Sequence, residues 1–194
     1  MEIGATKAVQ DRLKTTKIEE SKGASLVFCW DTHLTKIKGR NVLFIVNASN
    51  RYTIAMTDIE PRNWNYYTMY IRSVIHGVMQ EMGYSEDQIG QYFKMSGDMI
   101  VTKTHGKKSV GGINRMVTDA QYFDKKLEKD TKYQWELSEY LNRDICQPEG
   151  FDAYGYPSEL FKLDMERLGI IPKRKPAKVI DFTRYIDTNR SSNH

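Results

Sequence analysis

An α+β fold is predicted for this chain, with an antiparallel sheet of four or five strands, helices packed on one face and a C-terminal helical appendage. Three apolar strand candidates follow one another over residues 26–56, joined only by short, turn-rich segments. Amphipathic helical patterns then occupy most of residues 61–127. The chain has 194 residues, of which 40% are hydrophobic and 28% charged, so it can bury a substantial core.

The strand candidates are residues 26–37, 42–46 and 52–56, separated by the segments KGRN and NASN. Connections this short favour an antiparallel meander, because parallel strands need a crossover of a dozen or more residues. A short helix is predicted before them, over residues 5–13, after an opening extended stretch. Residues 99–104 predict a further strand.

The clearest helix begins near Pro61 and ends at Gly83, because its apolar residues recur at intervals of three and four. Ser85 and Gln88 form a capping-box pattern at the start of a second helix. Apolar residues at helical spacing outline a third helix over residues 113–127.

Charge divides the chain into three segments. Residues 1–123 carry a net charge of +4, residues 124–170 carry −4, and residues 171–194 carry +4. We therefore expect an α+β domain over residues 1–125, a helical appendage over residues 126–170, and a basic linker with an extended tail over residues 171–194. A dense basic segment can attract phosphate backbones or an acidic protein surface.

Composition also limits the compartment and the cofactors. No apolar run approaches the roughly 18 residues that a membrane span needs, and the first residues lack the pattern of a secretory signal, so we expect a cytoplasmic protein without membrane contact. Cys29 and Cys146 are too few and too far apart for a disulfide framework or a zinc site. Cys29 and His33 are four residues apart on a predicted strand, but two ligands do not make a site. We expect no metal and no cofactor.

The segment TKTHGKKSVGGIN, residues 102–114, lies between a predicted strand and a predicted helix. Backbone amides at the start of a helix, with lysines beside them, suit a phosphate or carboxylate. The segment is not a P-loop, because Val101 stands where the first glycine is required and Lys108 where Ser or Thr is required. The residues assigned to anion or nucleic-acid binding are Thr104, Lys107, Lys108, Ser109, Asn114 and Arg115 here, and Lys173, Arg174 and Lys175 in the tail. A glycine-rich turn with an ordinary capping serine is the alternative interpretation.

Other catalytic patterns are missing from the sequence. It contains no GxSxG, HExxH or CxxC motif, so no catalytic residues are assigned and we expect a protein that is not an enzyme. Aromatic side chains indicate a protein interface instead, because Tyr and Trp often anchor such interfaces. The residues assigned to a protein interface are Trp64, Tyr66, Tyr70, Trp135, Tyr154 and Tyr156. The alternative is that such residues pack the appendage onto the domain.

Three stretches carry a family resemblance: ATKAVQDRL, FCWDTHLTKIKGRNVLFIVNASNRYTIAM and TKTHGKKSVGGINRMV. Together they resemble an uncharacterised small domain family of bacteria, phages and mobile elements, over about residues 1–123. The chain departs from the family pattern at two positions: Lys108 stands where an arginine is usual and Ala8 where a basic residue is usual. Such proteins include inhibitors of host defence, and the chain resembles anti-CRISPR proteins acting on the type II nuclease Cas9. The resemblance implies Cas9 with its guide RNA as a protein partner.

Three functions stay open at this point. The first is a non-catalytic binding protein that inhibits a host defence nuclease. The second is a nucleic-acid-binding accessory protein that uses Lys107, Lys108 and the basic tail. The third is an enzyme with an unrecognised anion-binding site in the turn formed by residues 104–114.

Overall fold

A mixed sheet forms the centre of the protein. A computed structural model describes residues 1–14 and 16–173, in which five strands lie in the order β4-β3-β2-β1-β5. The strands are β1 (Glu2–Ala5), β2 (Cys29–Ile37), β3 (Arg40–Asn47), β4 (Thr53–Thr57) and β5 (Ile100–Thr102). The helices are α1 (Lys7–Gln10), α2 (Pro61–Asn65), α3 (Tyr67–Glu81), α4 (Glu86–Ser96), α5 (Gly106–Gln121), α6 (Trp135–Asn142) and α7 (Pro157–Arg167). The α+β class is confirmed.

Strand β1 makes the sheet mixed rather than antiparallel. The meander β2-β3-β4 is antiparallel as expected, but β1 pairs in parallel with β2 on one side and β5 on the other. Residues 6–28 connect β1 to β2 and are long enough for the crossover that parallel pairing needs. Residues 2–5, EIGA, do not alternate strictly between polar and apolar types, so the sequence indicated only an extended stretch.

Helices cover both faces of the sheet, whereas the sequence suggested one. Along β3, Val42, Phe44 and Val46 pack in a core with residues of α5 and α6. The alternate residues Leu43 and Ile45 pack in a second core with residues of α3, α4 and α7. Successive side chains of a strand point to opposite faces, so the two cores lie on opposite sides of the sheet. An unbroken apolar run such as residues 42–46 is typical of a strand buried on both faces.

The predicted helices occur, with different limits. The helix expected from Pro61 to Gly83 is divided into α2 and α3 at Tyr66. The capping box before α4 is confirmed, since the backbone N–H of Gln88 donates to Ser85 Oγ at 3.3 Å and Ser85 N–H donates to Gln88 Oε1 at 2.9 Å. Helix α5 begins at Gly106, well before residue 113, so most of the segment 102–114 is helical.

The segment that follows α5 packs closely on the sheet. The backbone N–H of Gln134 donates to Ala55 O at 2.9 Å, and Thr57 N–H donates to Lys132 O at 2.8 Å, beside the edge strand β4. Phe161 of α7 is buried in the same core as the strand residues.

A domain boundary near residue 125 stays a prediction. The part of the tail from Arg174 onward lies outside the described residues, and no helix among the described residues is long and apolar enough to cross a membrane.

Candidate functional sites

Four polar side chains meet in the interior at the start of α5. Glu2 of β1, Cys29 and Asp31 of β2, and His105 immediately before α5 form what we call the buried cluster. The parallel register places Glu2 opposite Cys29 and Gly4 opposite Asp31. The exposed fractions are 2% for Glu2, 1% for Cys29 and 0% for Asp31, and the side chain of His105 is 8% exposed, so solvent has little access to the cluster.

His105 is held between the two carboxylates. Its Nδ1 lies 2.7 Å from Asp31 Oδ1, and its Nε2 lies 3.1 Å from Glu2 Oε2. Burial lowers the pKa of His105, but hydrogen bonds to Asp31 and Cys29 outweigh burial and raise the pKa to about 10. At neutral pH the ring is therefore an imidazolium.

Asp31 also binds the start of α5. The backbone N–H of His105 donates to its carboxylate at 3.2 Å, and the Ser109 hydroxyl donates to Asp31 Oδ2. A negative charge is favourable at this end of a helix because the first N–H groups carry a partial positive charge. Asp31 thus fixes both the helix and the histidine ring.

Glu2 is fixed by the loop that precedes β2. The Ser21 hydroxyl donates to Glu2 Oε2 at 2.7 Å, and the backbone N–H groups of Lys22 and Ala24 donate to Oε1 at 2.7 and 3.3 Å. Burial raises the pKa of Glu2, but these hydrogen bonds and the one from His105 lower it overall. The carboxylate therefore stays ionised beside the imidazolium.

Gly4 gives Asp31 the space that it occupies. A Cβ atom at Gly4 would lie 1.8 Å from Asp31 Oδ1 and 3.0 Å from His105 Nδ1. A separation of 1.8 Å is too short for any side chain, so the present position of Asp31 depends on glycine at this position of β1.

The cluster combines the donor types of a metal site. One ligand atom each from Glu2, Cys29 and His105 lies within 4.8 Å of the other two. The sequence analysis considered Cys29 only with His33 and rejected that pair as a metal site. In the structure His33 Nδ1 lies 3.2 Å from Thr6 Oγ1. The one usable signal was the pair of polar residues Cys29 and Asp31 at alternate positions of a buried strand.

The predicted anion-binding residues are distributed over two surfaces and the interior. Lys108 and Arg115 line a pocket of about 220 Å³ together with Arg51, which the sequence did not single out; we call it the basic pocket. Lys108 Nζ donates to Pro148 O at 3.3 Å, and Arg115 Nη2 lies 3.5 Å from Asp144 Oδ2.

The remaining residues of that assignment do not form one site with Lys108 and Arg115. Thr104, Lys107 and Asn114 line a separate open hollow at the first turns of α5. Ser109 is in the lining of the basic pocket, but its hydroxyl donates to Asp31 of the buried cluster. Lys173 is exposed at the end of the described residues, and Arg174 and Lys175 lie outside them. Anion binding here stays a prediction.

The predicted interface residue Trp135 shares a cavity with Tyr140, which the interface assignment did not include. They line a groove of about 540 Å³ with Phe123 and Leu141, between the end of α5 and α6; we call it the aromatic groove. Its other lining residues include five carboxylates and two cations: Asp119, Asp124, Glu136, Glu139, Asp144, Lys125 and Arg143. Two ion pairs cross this lining, Lys125 with Glu136 at 2.8 Å and Arg143 with Glu139 at 3.4 Å.

The other predicted interface aromatics are dispersed. Trp64 is half-buried and stacks on Tyr67 with a centroid distance of 5.7 Å, and Tyr70 is also half-buried. Tyr66 and Tyr154 are 67% and 70% exposed, and Tyr156 is exposed immediately before α7. None of these five residues lines the aromatic groove.

A comparison with known families identifies one match. Residues 2–160 match the family described as a domain of unknown function, DUF6933. No curated protein and no solved structure matches the chain. The matched region contains all four residues of the buried cluster and extends past residue 123 through α6. The resemblance to an uncharacterised family is confirmed, and this protein belongs to the DUF6933 family.

Proposed function

We propose that this protein is a non-catalytic binding protein whose aromatic groove docks on a basic surface of a partner protein. The observation that supports it is the composition of the groove, in which the exposed rings of Trp135 and Tyr140 stand among carboxylates that outnumber cations by five to two. Aromatic rings anchor interfaces through their large apolar area. An excess of carboxylates steers a positively charged partner toward them.

The finer proposal is that the partner is a defence nuclease of the Cas9 type. Such nucleases hold their guide–target heteroduplex in a positively charged channel. A groove of aromatic rings and carboxylates is complementary to a surface of that kind, both in charge and in the apolar stems of its lysines and arginines. Binding there would exclude nucleic acid without any catalytic step.

The test is a pull-down of Cas9 and its guide RNA with the full-length protein, followed by a DNA cleavage assay. We expect a complex and reduced cleavage. The double variant Trp135→Ala/Tyr140→Ala should weaken binding at least tenfold, since central aromatic anchors contribute about 2 kcal/mol or more. Tyr154→Ala is the matched control, because Tyr154 is 70% exposed and lies outside the groove.

The outcomes separate the two levels of the proposal. Absence of a complex together with full cleavage rejects the nuclease as partner. If the groove variant and the Tyr154 variant bind equally well, docking through the groove is rejected. If the protein binds basic proteins but not Cas9, the groove remains the proposed docking site and the nuclease is rejected as its partner.

A second candidate function is binding of a phosphate-containing ligand such as nucleic acid. It is favoured by the basic pocket, where Arg51, Lys108 and Arg115 surround one cavity. Affinity should fall steeply with salt, because each phosphate contact releases counterions. The slope of the logarithm of the binding constant against the logarithm of the salt concentration should become smaller by about one in Lys108→Ala. Lys107→Ala changes a lysine outside this pocket and should reduce that slope less. Retention on nucleic acid that is independent of salt would contradict this candidate.

A further inference from the structure

The buried cluster is not used by either function proposed above. Its three potential ligands come from β1, from β2 and from the residue before α5. We propose that Glu2, Cys29 and His105 bind a divalent metal ion of the zinc class through the Glu2 carboxylate, the Cys29 thiolate and His105 Nε2.

The donor set and its dimensions fit such an ion. Zinc accepts sulfur, imidazole nitrogen and carboxylate oxygen at about 2.0–2.3 Å, which places ligand atoms roughly 3.3–3.8 Å apart around a tetrahedral centre. The three donor atoms here lie within 4.8 Å of one another, so shifts of about 1 Å bring them to coordination distance. Three protein ligands leave the fourth position to water.

The orientation of His105 is a second, independent observation. A metal-bound histidine usually donates its other ring N–H to a carboxylate, which fixes the ring and makes the coordinating nitrogen more basic. Asp31 is that carboxylate, 2.7 Å from Nδ1, which leaves Nε2, 3.1 Å from Glu2 Oε2, as the ring nitrogen for the ion. Gly4 supplies the space for this contact, since any Cβ would overlap Asp31.

A cysteine nucleophile explains the cluster less well than a metal does. Cys29, His105 and Asp31 are the residue types of a Cys-His-Asp triad. However, Cys29 is only 1% exposed, and Glu2 lies 3.1 Å from the ring nitrogen that would have to accept the thiol proton. A substrate needs access to the sulfur, whereas a single ion and one water do not.

Structural stabilisation alone also explains the cluster less well. Replacing a buried ion pair by packed apolar side chains is often neutral or stabilising, so a gain in stability is a weak explanation for the buried charges. Metal binding accounts for the charges directly. The thiol of Cys29 and Nε2 of His105 each release a proton to solvent as the ion binds, and Glu2 is already ionised, so the 2+ charge meets two anionic ligands.

The experiment uses the full-length chain, freed of metal with a chelator and then titrated with Co²⁺. Tetrahedral Co²⁺ bound to a thiolate gives a sulfur-to-metal charge-transfer band together with visible absorption. We expect both to saturate at one equivalent of Co²⁺, and Zn²⁺ to abolish both. A folded wild-type protein without the band overturns the proposal.

Two cysteine variants assign the ligand. Cys29→Ser should lose the charge-transfer band, whereas Cys146→Ser, which changes the other buried cysteine, should keep it. The chain contains only these two cysteines, so the band in Cys146→Ser assigns the sulfur to Cys29 even where Cys29→Ser folds poorly. Loss of the band in folded Cys146→Ser overturns the assignment.

A further variant separates metal binding from fold. Asp31→Asn should weaken Zn²⁺ affinity about 10–100-fold, as is typical when the carboxylate behind a histidine ligand is removed. Affinity is measured by competition with a chromophoric chelator, on protein shown to be folded by circular dichroism. Unchanged affinity in the folded Asp31 variant contradicts the role of His105 Nε2 as ligand.

Discussion

The buried cluster and the aromatic groove use charged side chains in opposite ways. In the cluster, Glu2 and Asp31 are 2% and 0% exposed, and fixed backbone and side-chain donors hold both carboxylates. In the groove, Trp135 and Tyr140 are about 40% exposed, and the ion pairs around them are solvated. Removing one partner of a buried ion pair lowers the stability of the protein by several kcal/mol, whereas a solvated pair contributes little. Substitutions in the cluster should therefore change stability strongly, and substitutions in the groove should change it little.

The substitution Gly4→Ala is the most direct test of this difference between the cluster and the groove. The added Cβ would lie 1.8 Å from Asp31 Oδ1 and would displace the carboxylate from His105. We expect the free energy of unfolding to fall by about 3–5 kcal/mol, the usual loss when a buried pair is broken. Urea denaturation monitored by circular dichroism measures it.

Gly111→Ala is the control for that variant. Gly111 lies in α5, and a Cβ there would meet no atom within 4 Å. Alanine favours a helix over glycine by about 0.5–1 kcal/mol, so this variant should be as stable as the wild type or more so. Equal stability of the two variants would show that Asp31 tolerates displacement.

The next largest effect concerns pH. The folded protein raises the pKa of His105 from 6.5 to about 10, so it binds the proton more tightly than the unfolded chain. In metal-free protein this stabilisation is fully present below pH 6.5 and is lost as pH rises toward 10. The urea midpoint should therefore decline over that window.

His105→Gln should remove that decline, since glutamine does not titrate. His76→Gln is the control, because His76 lies at the surface with a side chain that is 37% exposed. An equal slope in the wild type and the His105 variant would assign the pH dependence to other groups.

The smallest effect on stability is expected in the groove. Trp135→Ala removes an exposed ring at the start of α6, so the free energy of unfolding should change by about 1 kcal/mol or less. Its effect should appear in partner binding instead. A loss of stability as large as that of Gly4→Ala would mean that the groove is part of the structural core, and the contrast would disappear.

Much of the fold follows from local patterns. The apolar run at residues 42–46, the turn-forming segments beside it and the Ser85–Gln88 capping box each depend on neighbouring residues, and the structure contains the corresponding strands and cap. The parallel strand β1 did not follow, because its residues EIGA do not alternate strictly between polar and apolar types. Lys108 and Arg115 do line one pocket, but Arg51, 57 positions before Lys108 in the chain, completes it only through folding.

By itself, the sequence determined the α+β class, the antiparallel meander and the positions of most helices, since these depend on periodicity, turns and caps within short segments. Only the tertiary structure decided that β1 enters the sheet between β2 and β5 and that α5 begins at Gly106. Those two features bring Glu2, Cys29, Asp31 and His105 into one buried cluster. The physical reason is that such a cluster depends on strand register and on the space left by Gly4, and neither is expressed in the spacing of residues along the chain.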